Sequence, residues 1–175
     1  MSHAATLGVT SLQGMDKASV AVSTIEGKPL MLYFSAHWCP PCRAFTPKLA
    51  EFYKTTKGKV EIVFISSDNT KPEFEEYFGL MPWLALPFDA RTEKDVLAQK
   101  FKVDGIPMLV LIDAEGKVIT TEGRAAVTAD PTGAGPVFGP VFGSIQKVPT
   151  TQPAAATAVT AGVAENKDKK CCLIA

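Results

Sequence analysis

The sequence predicts an α/β domain with a mixed β-sheet. Two apolar runs, residues 29–34 and 60–65, have the length and composition of buried strands. Segments with helical periodicity follow them, at 43–53 and 72–78. Two further strand-like runs late in the chain are joined by a short turn, which indicates a hairpin. Strands alternating with helices and then ending in a hairpin are typical of a mixed sheet.

Shorter patterns predict the remaining elements. Residues 18–22 alternate in hydrophobicity as a short strand does. The helix at 72–78 begins near a proline, which is tolerated in a first helical turn. The next helix is predicted at 93–101, and its apolar positions are Val96, Leu97 and Phe101. The hairpin strands are 108–112 and 117–120, and the turn between them ends in a glycine.

Length and composition indicate one globular domain, residues 1–143, followed by a tail. The chain has 175 residues, of which 46% are apolar and 21% charged, so it can build a real core. Its 18 basic and 18 acidic residues cancel, and no basic stripe with interleaved aromatics suggests nucleic-acid binding. No signal peptide or membrane-spanning segment is recognisable. We therefore expect a cytoplasmic monomer in a reducing compartment.

A small repeat closes the predicted domain. Gly-Pro-Val-Phe at residues 135–138 is followed by a near copy at 139–142. We interpret this segment as a strap that lays Phe138 or Phe142 on the domain.

The motif Trp38-Cys39-Pro40-Pro41-Cys42 stands between the first buried strand and the first helix. Two thiols separated by two rigid residues are spaced to exchange a disulfide with another molecule. Cys39 lies near the helix N-terminus, where the dipole and unpaired amides favour a thiolate, so we expect it to attack. Cys42 lies about one turn further in and is expected to resolve the mixed disulfide. A zinc half-site and a static disulfide are the alternatives, and both are disfavoured by ligand number and loop size.

The two prolines and a nearby histidine bear on this chemistry. Pro40 and Pro41 fix φ and remove two N–H groups that could bond the Cys39 sulfur. We therefore expect the pKa of Cys39 to lie below that of a free thiol but above the values of strongly oxidising proteins. His37 could add positive charge near the sulfur, or its ring could point elsewhere.

Three separated blocks resemble the tryparedoxin and nucleoredoxin branch of the thioredoxin superfamily. They are the active-site block at 34–47, the Met-Pro-Trp-Leu-Ala-Leu-Pro-Phe block at 81–88, and Gly-Ile-Pro at 105–107. The resemblance covers roughly residues 17 to 140. It implies a thioredoxin-like fold, in which helices flank a central mixed sheet, whereas periodicity alone indicates only α/β.

The resemblance also implies roles for single residues. Ile106 and Pro107 match the cis-proline loop that faces the cysteines and offers backbone hydrogen bonds to a substrate. Trp38 matches a tryptophan beside the nucleophile, which is either a contact surface for partners or a lid over the disulfide. Trp83, in the Met-Pro-Trp block, is expected to support the fold and not to take part in the chemistry. Arg124 matches an arginine near the substrate groove, although a lone arginine is also typical of surface charge.

The chain departs from the family pattern in two places. Many thioredoxins have a buried aspartate that helps deprotonate the resolving cysteine, and the matching residue here is Tyr33. Proton transfer must therefore use water or another group. In tryparedoxins the second core strand is commonly followed by Trp-Asp and further acidic residues. In this chain the segment at 66–71 is Ser-Ser-Asp-Asn-Thr-Lys. This segment is closer to nucleoredoxin and leaves open whether the cationic dithiol trypanothione is the reductant.

The C-terminal part carries a second signal. Residues 144–170 are mostly a Pro/Ala/Thr/Val-rich stretch without periodicity, which predicts a flexible linker. Residues 171–175 contain a prenylation box beginning at Cys172. Because one lipid anchors only weakly, Cys171 as a palmitoylation site and upstream lysines would add the second signal. A chance tetrapeptide or an accessory Cys171/Cys172 redox pair are the alternatives.

These observations predict a tryparedoxin-like thiol–disulfide oxidoreductase without a bound cofactor. It would reduce disulfides in protein partners such as peroxidases, and trypanothione or a similar low-molecular-weight dithiol would recharge it. The lipidated tail would hold it at the cytosolic face of a membrane. The alternatives are a nucleoredoxin-like reductase with another electron source and a redox-dependent adaptor without turnover.

Overall fold

The computed structural model describes residues 2–143. Its strands are β1 Ser11–Gln13, β2 Ser19–Ala21, β3 Leu30–Ser35, β4 Glu61–Ser66, β5 Leu84–Ala85, β6 Met108–Ile112 and β7 Val118–Thr120. Its helices are α1 His3–Leu7, α2 Pro40–Thr55, α3 Lys71–Phe78, α4 Arg91–Lys100, α5 Gly123–Ala129 and α6 Gly139–Gly143, with a 3₁₀ turn at Val22–Ile25. The predictions for residues 144–170 and 171–175 lie outside the described residues.

One mixed sheet contains these strands in the order β2-β1-β5-β4-β3-β6-β7. The central strand β3 pairs in parallel with β4 and antiparallel with β6. The parallel pair needs a crossover connection, and α2 supplies it. The antiparallel pair β6–β7 is the predicted hairpin. The predicted mixed sheet with flanking helices is thus confirmed.

The two faces of the sheet differ in composition. We call one the aromatic face; it packs against α2, α3 and α5. Its residues on β3, β4 and β6, which we call the three central strands, are Met31, Tyr33, Ile62, Phe64, Leu109 and Leu111. We call the other the aliphatic face; it packs against α1 and α4, and its residues on the same strands are Leu30, Leu32, Phe34, Val63, Ile65, Val110 and Ile112. Because side chains alternate across a strand, a single uninterrupted apolar run supplies both faces.

Some predicted positions need correction. Val96 was expected to be an apolar position of its helix, but it is 57% exposed, whereas Leu97 is buried. The sequence pattern predicts none of α1, β1, β5 and α5. Each has seven residues or fewer, which is too short to show a clear period.

The strap prediction is confirmed for both phenylalanines. Phe138 is fully buried, and its ring lies 4.9 Å from that of Phe52 on α2. The Phe142 ring stacks on Phe138 at 5.6 Å. The sequence does not predict that residues 139–143 form the short helix α6.

Candidate active site

The two cysteines of the motif lie at the start of α2 and form a disulfide. Cys39 is the N-cap residue, and Pro40 and Pro41 occupy the first helical positions. Backbone N–H groups at these positions have no partner within a helix, so the prolines cost it no hydrogen bond. Cys42 is completely buried, whereas Cys39 retains 4% exposure. The structure therefore confirms the predicted strand-to-helix placement. The order of attack, Cys39 before Cys42, stays a prediction.

The predicted cis-proline loop faces this disulfide. The Ile106–Pro107 peptide bond is cis. The Cys39 Sγ lies 3.8 Å from the Ile106 carbonyl oxygen, and Ile106 packs on both cysteines and Ala36. The disulfide is thus enclosed between the start of α2 and a loop more than sixty residues away in sequence.

Trp38 forms an exposed rim beside the cysteines. Its side chain is 53% exposed, and its Nε1 donates a hydrogen bond to the carbonyl oxygen of Ser67 at 3.2 Å. Of the two interpretations of this residue, its exposure favours the contact surface. The bond to Ser67 ties the rim to the segment that follows β4.

A buried carboxylate that the sequence reasoning did not single out braces this segment. Asp68 is 3% exposed and accepts hydrogen bonds from the backbone N–H of His37 at 2.6 Å and from Ser66 Oγ at 2.7 Å. Arg91 on α4 donates to the carbonyl oxygens of Ser66 and Asp68, both at 3.1 Å. Asp68 therefore links the loop before the cysteines to the end of β4. No local pattern marks this role, because its partners come from three parts of the chain.

The ring of His37 points toward α3. Its centroid lies 5.7 Å from that of Tyr77, with the rings tilted by 32°. No described hydrogen bond joins His37 to either cysteine. The alternative in which the ring points elsewhere than the sulfur fits this arrangement.

Arg124 lies behind the cis-proline loop. Its Nη1 donates to the Pro107 carbonyl oxygen at 3.1 Å, and its guanidinium carbon lies 5.6 Å from the centre of the Phe45 ring. The structure thus brings the predicted arginine to the loop that carries Pro107. A groove of about 450 Å³ runs here, and its charged lining residues are Lys102, Asp104, Glu122 and Arg124.

Tyr33 occupies the position of the family aspartate and is completely buried. Its hydroxyl lies 2.9 Å from Thr46 Oγ1 and 3.3 Å from the carbonyl oxygen of Cys42. Burial raises the pKa of Tyr33 above its ordinary value, since desolvation disfavours the phenolate. Tyr33 is therefore a neutral hydroxyl donor to the backbone of Cys42.

Other parts of the described structure hold no comparable chemistry. A cavity of about 310 Å³ lies at the opposite end of β3, and its lining includes Pro29, Ile119 and Val141 but no cysteine. Within residues 2–143, no group of three or more His, Cys, Asp or Glu side chains could hold a metal ion. The helices of this part include none that is long and apolar enough to cross a membrane. Trp83 is buried against Tyr33 and Tyr53, as expected of scaffold.

Comparison with known proteins agrees with this geometry. Residues 27–118 match the model of a thioredoxin-like family. Probable nucleoredoxin 1 of Arabidopsis thaliana is 54% identical over 120 residues, which are 66% of this chain but only 20% of the plant protein. The structure of tryparedoxin from Trypanosoma brucei superposes with a TM-score of 0.72 at 46% identity, covering 77% of this chain and 96% of that one.

A further solved structure is a tryparedoxin II in complex with glutathionylspermidine. It is 43% identical and has a TM-score of 0.67, and the match covers 70% of this chain and 87% of that chain. The fold and the paired cysteines define a thioredoxin-like oxidoreductase. Within that class, the chain belongs to the tryparedoxin and nucleoredoxin branch of the thioredoxin-like family.

Proposed function

We propose that this protein reduces disulfides of protein partners, such as peroxidases, by dithiol exchange. The Cys39 thiolate attacks the substrate disulfide, forms a mixed disulfide and releases one substrate thiolate. Cys42 loses its proton and attacks the Cys39 sulfur, which releases the second substrate thiolate and forms the Cys39–Cys42 disulfide. A dithiol then reduces this disulfide by two exchange steps and leaves as its own disulfide.

The observation that carries this proposal is the position of Cys39. Its sulfur lies at the N-terminus of a sixteen-residue helix and 3.8 Å from the Ile106 carbonyl oxygen. The helix dipole favours a thiolate there. The cis-proline loop offers backbone groups to a substrate bound beside the sulfur, and the exposed Trp38 ring supplies a contact surface for a protein.

We propose a low-molecular-weight dithiol such as trypanothione as the electron donor. The tryparedoxin II complex supports this, because glutathionylspermidine, like trypanothione, joins a polyamine to a glutathione moiety. Arg124 at Pro107 and the mixed charges of the groove provide partners for such a ligand. The nucleoredoxin-like sequence after β4 supports the second candidate, a protein-disulfide reductase with another electron source.

Turnover with two reductant systems tests these proposals. The full chain would be given a protein disulfide and either trypanothione with its reductase or a conventional thioredoxin-reductase system, and consumption of reduced pyridine nucleotide would be followed. We expect turnover with trypanothione, none for Cys39→Ser, and an accumulating mixed disulfide for Cys42→Ser. Turnover only with the other system would support the nucleoredoxin-like reductase. If neither system supports turnover, and if Cys42→Ser captures a partner in a complex that is stable to excess dithiol, the result would support an adaptor.

We also propose that Cys172 is prenylated and Cys171 acylated, which would hold the protein at the cytosolic face of a membrane. The support is the sequence Cys-Leu-Ile-Ala at residues 172–175 with three lysines just upstream. Mass spectrometry of the C-terminal peptide from cells should detect the lipid. Unchanged membrane fractionation of a Cys172→Ser variant would contradict this proposal.

A further inference from the structure

Four buried hydroxyl groups form a closed ring beneath the resolving cysteine. Tyr33 and Ser35 come from β3, Thr46 from α2 and Tyr77 from α3. The oxygen–oxygen distances around the ring are 3.0 Å for Tyr33 to Ser35, 3.1 Å for Ser35 to Tyr77, 2.5 Å for Tyr77 to Thr46, and 2.9 Å for Thr46 to Tyr33. All four side chains are at most 4% exposed. We call this group the hydroxyl ring.

The hydroxyl ring contacts Cys42 at its backbone carbonyl. Thr46 Oγ1 lies 3.0 Å from this oxygen and the Tyr33 hydroxyl 3.3 Å from it. Each hydroxyl has one proton to donate. Two contacts to the carbonyl therefore compete with the contacts inside the ring, and either Tyr33 or Thr46 can turn its proton toward Cys42 without any heavy atom moving.

The surroundings of Cys42 make such donors consequential. The side chain is completely buried and packs against Cys39, Ala36 and Ile106, so deprotonation takes place in an apolar environment. In residues 2–143, the side chains that hydrogen-bond to Cys42 are Tyr33 and Thr46. No described carboxylate does so, and the family aspartate is absent.

Three titratable or charged groups of the active-site region make their described contacts elsewhere than with Cys42, while Arg43, the next residue, is exposed. Asp68 accepts from the His37 backbone and Ser66, and the His37 ring packs on Tyr77. Arg124, behind the cis-proline loop, donates to the Pro107 carbonyl.

We propose that the hydroxyl ring is a positioning element that favours the Cys42 thiolate in the resolving step. Donors aimed at the Cys42 carbonyl offset the negative end of this dipole, which belongs to the same residue as the sulfur, and so reduce its repulsion of a thiolate. The proton of Cys42 leaves to solvent, and the thiolate electron pair forms the bond to the Cys39 sulfur as the substrate thiolate departs. This inference rests on the proposed roles of the two cysteines.

The burial of Tyr33 keeps its hydroxyl in the donor form. Desolvation raises the pKa of Tyr33, so its proton remains available throughout the range in which thiols titrate. The described hydrogen bonds of the Ser35 and Tyr77 hydroxyls go to other ring members and not to Cys42, so these two residues act through Tyr33 and Thr46. A hydroxyl removed from Tyr77 should therefore have a smaller effect than one removed from Thr46.

Stopped-flow reaction with dithiobis(nitrobenzoic acid) separates the two steps. The reduced full chain should release one coloured thiolate when Cys39 attacks and a second when Cys42 resolves the mixed disulfide. The pH dependence of the second phase reports the titration of Cys42. The variants are Thr46→Val, which removes a hydroxyl at nearly constant shape, and Thr46→Ser, which retains it. Tyr77→Phe removes a second ring member, and Tyr53→Phe is the control.

The control is matched in chemistry. Tyr53 is a partly buried tyrosine whose hydroxyl donates to Glu61 at 2.6 Å, near the other end of α2. Removing the Tyr53 hydroxyl costs one hydrogen bond and changes no member of the hydroxyl ring.

We expect Thr46→Val to move the midpoint of the second phase upward by about one pH unit, which is about tenfold in rate at neutral pH. Tyr77→Phe should give about threefold in the same direction. Thr46→Ser and Tyr53→Phe should retain the wild-type midpoint, and the first phase should be unchanged in all four. A wild-type midpoint in both Thr46→Val and Tyr77→Phe would overturn the proposal, as would equal slowing at every pH in Thr46→Val and Thr46→Ser.

The same data separate this inference from the proposed function. A protein that shows both phases but does not reduce protein disulfides would refute the proposed function and leave the ring to be judged by the midpoints. If Thr46→Val fails to fold, Tyr77→Phe, which adds no atom, decides the result alone.

Discussion

The aromatic and aliphatic faces of the sheet are equally well buried but serve different purposes. On the aliphatic face, the three central strands contribute only Leu, Ile, Val and Phe side chains. On the aromatic face, the same strands contribute Tyr33 and, at the end of β3, Ser35, whose hydroxyls meet those of Thr46 and Tyr77. Burial alone therefore does not distinguish the two faces, whereas their hydrogen bonds do.

The difference teaches where the fold can tolerate polar groups. Buried hydroxyls are costly unless they are hydrogen-bonded. The four hydroxyls of the hydroxyl ring lie on the face where α2 carries the cysteines, and partners from β3, α2 and α3 satisfy them. The aliphatic face has no cysteine to orient and stabilises the domain by apolar burial.

The sharpest test of the comparison is a pair of matched cavities. Phe34 and Phe64 lie on neighbouring strands, are at most 1% exposed, and face opposite sides. Phe34→Ala and Phe64→Ala should each lower the free energy of unfolding by about 3–5 kcal/mol. Only Phe64→Ala should alter the pH midpoint of Cys42 attack, because the Phe64 ring lies 6.2 Å from that of Tyr33 and 5.6 Å from that of Tyr77.

Chemical denaturation measures the stabilities, and the stopped-flow assay measures the midpoints. If Phe34→Ala moves the midpoint as far as Phe64→Ala does, the proposed division between the faces is wrong.

A smaller effect is expected at the brace beside the active site. Asp68→Asn replaces a charged acceptor that receives hydrogen bonds from the His37 N–H and Ser66 Oγ. The loss should lower the free energy of unfolding by about 2 kcal/mol and slow the Cys39 phase, since the loop before Cys39 loses its anchor. Asn69→Ala, at the exposed neighbouring position, is the control and should change neither quantity.

High pH should weaken the aromatic face. Because folding raises the pKa of Tyr33, the folded state keeps a proton that the unfolded chain loses above pH about 10. The stability contribution is complete below that pH and falls above it, by up to about 1.4 kcal/mol per pH unit for this residue. Denaturation curves of Tyr33→Phe at increasing alkaline pH should show a shallower decline than those of the wild type. An identical decline would contradict this assignment.

The smallest effect is expected at the start of α3, the helix that carries Tyr77. Thr70 and Glu73 form a capping box, in which each side chain meets the backbone N–H of the other residue. Thr70→Ala should cost about 1 kcal/mol of stability, and Thr70→Ser should restore it. Because the cap lies two turns from Tyr77, the pH midpoint of Cys42 attack should stay unchanged. A shifted midpoint would mean that the ring depends on the whole helix.

The sequence by itself determined the features that arise from neighbouring residues. The apolar runs predict β3 and β4, and the Cys-Pro-Pro-Cys motif predicts two cysteines at a helix N-terminus, because local propensity and periodicity decide these. The resemblance located the cis-proline loop at Ile106 and Pro107, and the structure brings Arg124 to the same loop. Elements with few buried residues, such as β5 and α5, left no pattern to find.

Only the tertiary structure decided which polar groups meet at the cysteines. The ring bonds join residues up to 42 positions apart, and Asp68 reaches His37 across 31 positions. Tyrosine, serine and threonine are ordinary residues for a strand or helix, so nothing in their local sequence marks them as partners. Their role arises because the sheet register and the crossover helix place four hydroxyls in one apolar space, where each must bond to another.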